Sequence, residues 1–177
     1  MQIRYTKGDT TRPGGTKPQI IIHCCNDIGG WGRGFVLALS KRWPHVEKAY
    51  RQWHKEETYL YQDGMFTTGA FELGAVQFVQ AEAGIWVSNI IGQHGVRWEN
   101  GVPPIRYPAI LEALQEIRDS IEYEEFDEHE EEYFDEPSVH MPRMGADLAG
   151  GDWKIIEKMV QEELADYGIP VTVYDLP

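Results

Sequence analysis

The chain has 177 residues, enough for one domain with a real core, and no apolar run reaches the roughly 18 residues a membrane span needs. Its net charge is -13, yet the stretch "EYEEFDEHEEEYFDE" from Glu122 to Glu136 holds ten carboxylates and no Lys or Arg, leaving three excess negative charges for everything else. A near-neutral body with an acidic appendage argues against stable binding of duplex nucleic acid through a basic surface, while leaving room for a local anion site built from backbone N–H groups.

"MQIRYTKG" alternates in polarity and predicts a first strand; it lacks the apolar stretch of a signal peptide. "RPGGTKP" (Arg12 to Pro18) is a turn-rich connection. "QIIIHC" (Gln19 to Cys24) is nearly continuous and β-branched, the pattern of a strand buried on both faces. Its Cys24 and Cys25 are adjacent, a spacing that would strain a bridge, so a reduced, cytoplasmic protein is expected. Four glycines then fall within six residues, Gly29 to Gly34, before the helical "FVLALSKRW". Pro44 fits the first turn of a second helix, "PHVEKAYRQWHKE". "AVQFVQAE" and "IWVSNIIG", parted by Ala83 and Gly84, predict a hairpin.

Ile105 to Tyr123 predicts a long amphipathic helix, with Ile110, Leu114, Ile117 and Ile121 along one face. The acidic segment follows, read as a solvated excursion with its aromatics Tyr123, Phe126, Tyr133 and Phe134. "SVHMP" predicts a short buried strand that opens into "RMGADLAGGDW", with Asp152 placed to cap the helix "DWKIIEKMVQEEL". "PVTVYDL" closes the chain as a last strand. Strands alternating with helices predict an α/β fold with a mixed, largely parallel sheet between helices. Neither CxxC nor HExxH occurs, so neither a metal site nor a cofactor is expected.

Two strands thus end in glycine-containing loops that open onto helices. In open α/β sheets ligands sit beyond the strands' carboxyl ends, and a helix N-terminus offers unpaired N–H groups to phosphate. Two such loops suit a diphosphate held from both sides. "GGWGRG" is neither the dinucleotide fingerprint nor a P-loop.

With "KGDTT", "HCCNDIGGWGRGF", "MPRMGADLAGGDW" and "VTVYDL" in this order, the chain resembles the macro domain family over Lys7 to Leu176, most closely the branch of ADP-ribose-1''-phosphate phosphatases and small ADP-ribosyl hydrolases. The resemblance implies a three-layer α/β/α sandwich, a single domain over residues 1–177 with an acidic insertion at about residues 122–137. The implied partner is ADP-ribose or a phosphorylated or conjugated derivative, bound by a monomer. It further implies that Asp9 reads the adenine amine, with Thr10 beside it, and that Asn26 contacts the distal ribose. The first loop, Gly29 to Gly34 with Trp31, Gly32 and Arg33, wraps diphosphate and ribose, and Cys24, Cys25 and Phe35 beside it are further implied ligand contacts; Trp31 either covers the ribose or packs the loop down. Met144, Gly145, Ala146, Asp147, Leu148, Ala149 and Gly150 form the second diphosphate loop, and Tyr174 either lines the adenine pocket or joins the core.

The sequence also departs from the family. Asp147 stands where a glycine is common, and Gln93 and Ala149 occupy the positions of the Lys and Asp used by the deglutamylating branch, which favours attack by water over attack by an enzyme amine. His23 and Asn26 are the leading catalytic candidates, although a strand histidine is more often a hydrogen-bonded core residue. Asp27, just beyond Asn26, is another candidate and equally a turn former, and His94 and His140 are weaker candidates. The expected activity is metal-independent release of phosphate from ADP-ribose 1''-phosphate. The alternatives are a non-catalytic ADP-ribose reader and a hydrolase acting on ADP-ribosylated protein or nucleic acid.

Overall fold

Eight strands form one sheet in the order β1-β8-β7-β2-β6-β5-β4-β3, with parallel pairing from β1 through β6 and antiparallel pairing from there to β3. The computed structural model describes residues 1–122 and 134–177. Its strands are β1 (Arg4–Lys7), β2 (Gln19–Asn26), β3 (Tyr61–Gln62), β4 (Met65–Thr67), β5 (Val76–Glu82), β6 (Ile85–Gln93), β7 (Ser138–Pro142) and β8 (Val171–Asp175). The helices are α1 (Phe35–Arg42), α2 (Pro44–Glu56), α3 (Tyr107–Glu122) and α4 (Trp153–Glu163). This is the mixed, largely parallel α/β/α sandwich that the sequence predicts.

The central strand explains the layering. Successive side chains of β2 point to opposite faces. Ile20 and Ile22 pack with Ile110, Ala113, Leu114 and Ile117 of α3 and with Ile156 and Val160 of α4. Ile21 and Cys25 pack with Leu39 of α1 and with Val46, Tyr50 and Trp53 of α2. Both faces are dry, which is why the strand needs no polar alternation.

Helix α2 begins at Pro44, as expected, and Asp152 caps α4 by accepting the Lys154 N–H at 2.9 Å. Helix α3 starts at Tyr107, two residues beyond the predicted Ile105. The β3–β4 hairpin is an addition, and Asp63-Gly64 supplies its two-residue turn, with Gly64 at φ 72°. Among the described residues no helix is long and apolar enough to cross a membrane.

Most of the acidic segment, with Tyr123, Phe126 and Tyr133, lies outside the described residues. Phe134 corrects the expectation for its end. It is 4% exposed, with its ring centroid 5.4 Å from Phe78 and 5.6 Å from Trp86. The chain re-enters the core there because an aromatic side chain gains more from burial than the flanking carboxylates lose at the surface.

Candidate functional site

The carboxyl ends of β2, β6 and β7 lie side by side, and the loops that leave them converge. The first, Asp27–Gly34, is braced from within by Asn26. The amide Nδ2 donates to the Gly30 carbonyl at 2.8 Å, while Oδ1 accepts the N–H groups of Gly30 at 2.8 Å and Ile28 at 3.1 Å. Beneath it, the Tyr50 hydroxyl donates to the Asn26 carbonyl at 2.6 Å. A carboxamide carries its donor and its acceptor on separate atoms, so one side chain can close the turn from both sides. Gly29 and Gly34 have left-handed backbones that favour glycine, whereas Gly32 has open space around it. Gly29 has φ 75°, and a β-carbon there would lie 2.4 Å from His54 Nδ1.

Trp31 packs this loop down. It is 6% exposed, its ring lies 5.2 Å from that of Tyr50, and Nε1 donates to Ser40 Oγ at 2.7 Å. Gly32, Arg33 and Gly34 remain exposed at the surface, with Phe35 half-buried. Gly34, at φ 78°, leads into α1 without any side-chain cap. The first N–H groups of α1 therefore meet the loop unpaired by a side chain, carrying the positive end of the helix dipole.

The second loop, Arg143–Asp152, is closed by Gly150 N–H donating to the Asp147 carbonyl at 3.1 Å and Gly151 N–H donating to the Gly145 carbonyl at 2.8 Å. Met144 and Ala149 are buried, Ala146 is half-buried, and Asp147 and Leu148 face solvent. A methyl of Leu148 lies 3.6 Å from where a β-carbon on Gly34 would stand, so the two glycine loops meet. Unlike α1, helix α4 has its N-terminus satisfied by Asp152. The second loop thus offers backbone and shape, and the open helix end belongs to the first.

The third loop, between β6 and α3, contributes only His94 to the candidates named in the sequence. Trp98 is 59% exposed, and its ring edge lies 2.7 Å from a β-carbon position on Gly150. Val96 and Val102 beside it are exposed too. Nothing local predicts this contact, which joins residues 52 positions apart; the cue within reach was an unpaired Trp among turn residues.

His23 lies beneath the first loop. The ring is 2% exposed, Nε2 is bonded to Asn89 Oδ1, and the rings of Trp31 and Phe35 pack on it at 5.5 and 5.6 Å. Asn89 in turn donates to Gln77 Oε1 at 3.0 Å, and Gln77 donates to the Ala49 carbonyl at 2.9 Å. Burial pulls the His23 pKa down to about 4, the Asn89 bond opposing it. His140 is also buried and lowered to about 4 by desolvation, with Nδ1 2.9 Å from the Tyr174 hydroxyl. Tyr174 is 8% exposed, and its hydroxyl accepts the Gly14 N–H at 3.1 Å. It therefore ties the turn-rich N-terminal connection to the sheet.

Asp9 is half-exposed. Oδ1 accepts from Thr11 N at 2.9 Å and Thr11 Oγ1 at 2.7 Å. Desolvation pushes its pKa up, but the Thr11 bonds and nearby Arg12 outweigh it and hold the carboxyl below its usual range. Thr10 is buried. Cys24 and Cys25 are free thiols on opposite faces of β2, and burial raises Cys24 to about 12.

The loops make a specific expectation. A β-carbon on Gly151 would stand 2.4 Å from the Gly145 carbonyl oxygen, a backbone atom that cannot swing aside. Gly151→Ala should cost about 1–3 kcal/mol as an overpacking change and lower affinity for any ligand of the cleft at least about tenfold. Thermal melting and a ligand titration on the variant check this; wild-type values for both would contradict it.

No protein-family model matches the chain. Among solved structures it is similar to a protein of unknown function from Bacteroides thetaiotaomicron, 47% identical with TM-score 0.83 over 99% of both chains. It is also similar to a macrodomain protein from Streptomyces coelicolor, 45% identical with TM-score 0.75 over 98% of this chain and 99% of that one. Thermosipho africanus DarTG, solved in complex with ADP-ribose, shares the fold at 18% identity and TM-score 0.60, covering 90% of this chain and 38% of that chain. Among curated proteins, mouse chromodomain-helicase-DNA-binding protein 1-like is 28% identical over 177 residues, 99% of this chain and 18% of its own length. The chain thus spans less than a fifth of that relative. An ADP-ribose 1''-phosphate phosphatase from Candida albicans is 23% identical over 164 residues, 90% of this chain and 92% of that protein.

Proposed function

The chain belongs to the macrodomain family, and from that premise we propose that it binds ADP-ribose at the junction of its glycine loops and removes the phosphate from ADP-ribose 1''-phosphate. The observation that carries the reading is the meeting of the two loops at Gly34 and Leu148, directly over the uncapped N-terminus of α1. A diphosphate laid there receives backbone N–H donors and the helix dipole without any lysine, which suits a body near neutrality.

In this reading Asn26 acts chiefly by holding the loop open, and Gly32, Arg33 and Gly34 supply the surface that faces the phosphates. Met144 to Gly150 cover the other side. Asp9 and Thr10 address the adenine end, with Tyr174 holding the neighbouring backbone. Asp147, exposed and aimed at solvent, is compatible with an anionic ligand only if its carboxylate stays outside the phosphate path. His23, sealed beneath the loop, is a positioning residue: through Trp31 and Phe35 it supports the loop from below. The protein works as a monomer in a reducing, cytoplasmic setting, in keeping with two free thiols.

The nearly full-length similarity to the Candida albicans phosphatase supports hydrolysis. A second reading, binding without turnover, is favoured by the burial of His23, which withdraws the leading proton carrier from the cleft. Incubating the purified protein with ADP-ribose 1''-phosphate and measuring phosphate release separates them. Catalytic release is the expected result; saturable ADP-ribose binding with no release would establish the reader instead.

A further inference from the structure

Two of the candidates named in the sequence meet in the fold. Asp27 is the first residue beyond β2 and His94 the first beyond β6. The strands are parallel neighbours with Asn26 opposite Gln93, so the two side chains emerge together at the carboxyl edge. His94 Nδ1 lies 2.7 Å from Asp27 Oδ2, and the Gly95 N–H donates to Asp27 Oδ1 at 2.8 Å. The backbone is pinned on both sides: Asp27 N–H donates to the Gln93 carbonyl at 3.0 Å, and His94 N–H donates to the Pro104 carbonyl at 2.8 Å.

The pair is asymmetric. The Asp27 side chain is 18% exposed and the His94 side chain 53% exposed. An ordinary surface ion pair leaves both partners in water and contributes little. Here the carboxylate is withdrawn and used on both oxygens, while the imidazole projects. Among the described residues His94 Nε2 makes no hydrogen bond. A carboxylate that accepts from Nδ1–H selects the tautomer with its lone pair on Nε2 and stabilises the imidazolium that forms when Nε2 takes a proton.

The loop that carries His94 also reaches the rest of the cleft. It touches the first glycine loop at Asp27, and it touches the second through Trp98 and Pro103 against Gly150 and through Ile105 N–H donating to the Ala149 carbonyl at 3.1 Å. A base at this junction stands at the same carboxyl edge of the sheet from which the two glycine loops leave β2 and β7.

We propose that His94 is the general base of hydrolysis at this cleft, held in place by Asp27 as a positioning residue; the assignment rests on the ADP-ribose reading above. A water molecule gives its proton to His94 Nε2 as its oxygen bonds to phosphorus. The phosphorus–oxygen bond to the ribose 1''-oxygen breaks, and that oxygen leaves with the electron pair and takes a proton from solvent. The imidazolium then releases its proton to solvent, and the products are ADP-ribose and inorganic phosphate. Asp27 keeps its charge throughout and never meets the substrate.

The experiment measures phosphate release from ADP-ribose 1''-phosphate across pH 5 to 9, with ADP-ribose affinity by calorimetry in parallel, for wild type, His94→Gln, Asp27→Asn and Asp27→Glu. Positioned general bases contribute about 10²–10⁴-fold. His94→Gln is expected to lower kcat at least about 100-fold, to abolish the acid limb of the pH–rate profile, and to leave ADP-ribose affinity within about threefold. Asp27→Asn should lower kcat with the acid limb displaced, and Asp27→Glu should restore part of it; thermal melts confirm that each variant is folded. Wild-type kcat in His94→Gln overturns the proposal, as does a wild-type protein that binds ADP-ribose yet releases no phosphate. If wild type binds no ADP-ribose, the underlying reading falls as well, and the calorimetric arm tells the two failures apart.

Discussion

Acidification from pH 7 to pH 5 is expected to remove about 4 kcal/mol of folding stability, through two buried histidines that the fold keeps neutral. His23 and His140 each have a folded pKa near 4 against 6.5 when unfolded. Above pH 6.5 neither state carries the proton, so these residues leave stability unaffected. Below it the unfolded chain takes up protons that the folded chain refuses, and stability falls as pH drops from 6.5 towards 4. One pKa unit corresponds to about 1.4 kcal/mol, and at pH 5 each histidine contributes about 1.5 units of difference. Carboxylates such as Asp9 and Asp175, held below their usual range, act at lower pH and stay outside this window. Urea unfolding midpoints at pH 7 and pH 5 check this. A flat profile would mean that both rings find a partner for the added proton in the fold, and half the slope that one of them does. His140→Asn should remove about half of the slope and leave the His23 half.

The second large effect concerns Asn26. Asn26→Ala removes three hydrogen bonds inside the loop, to Gly30 N, Gly30 O and Ile28 N, at a residue only 6% exposed. At about 1 kcal/mol for each bond, the loss is about 3 kcal/mol. For a domain of this size that corresponds to a fall in Tm of about 6–12 °C. The same change should abolish ADP-ribose binding, because Gly32 to Gly34 lose the anchor that sets their path into α1. Asn26→Asp retains the two acceptor bonds and loses one donor, so an intermediate Tm is expected. If Asn26→Ala lost binding at an unchanged Tm, the residue would be a direct ligand contact with no bracing role.

The elements legible in the sequence are those whose pattern is local. The β-branched run from Gln19 specified a strand dry on both faces, Pro44 set the start of α2, and Asp152 set the start of α4. The β3–β4 hairpin has no legible pattern beyond its Asp63-Gly64 turn, because its two strands are too short to show alternation. For the site, the glycine loops were legible as loops, but partnerships across them were not. Trp31 could cover a ribose or pack the loop until its indole was placed on Tyr50 and Ser40. His23 had the right residue type for proton transfer, and register alone set it against Asn89 in the core. Asp27 and His94 stand 67 residues apart, joined only because β2 and β6 are parallel neighbours. Side-chain partnerships of that kind are set by topology, which the local pattern does not carry.

The central claim is that two touching glycine loops over the open end of α1 form an ADP-ribose site. Calorimetric titration of the purified chain with ADP-ribose tests it most directly. One saturable site per chain is expected, with a dissociation constant in the micromolar range, equivalent to about -8 kcal/mol, and at least about tenfold weaker in Gly151→Ala. Absence of saturable heat in the folded wild-type protein, or equal affinity in wild type and Gly151→Ala, would contradict it.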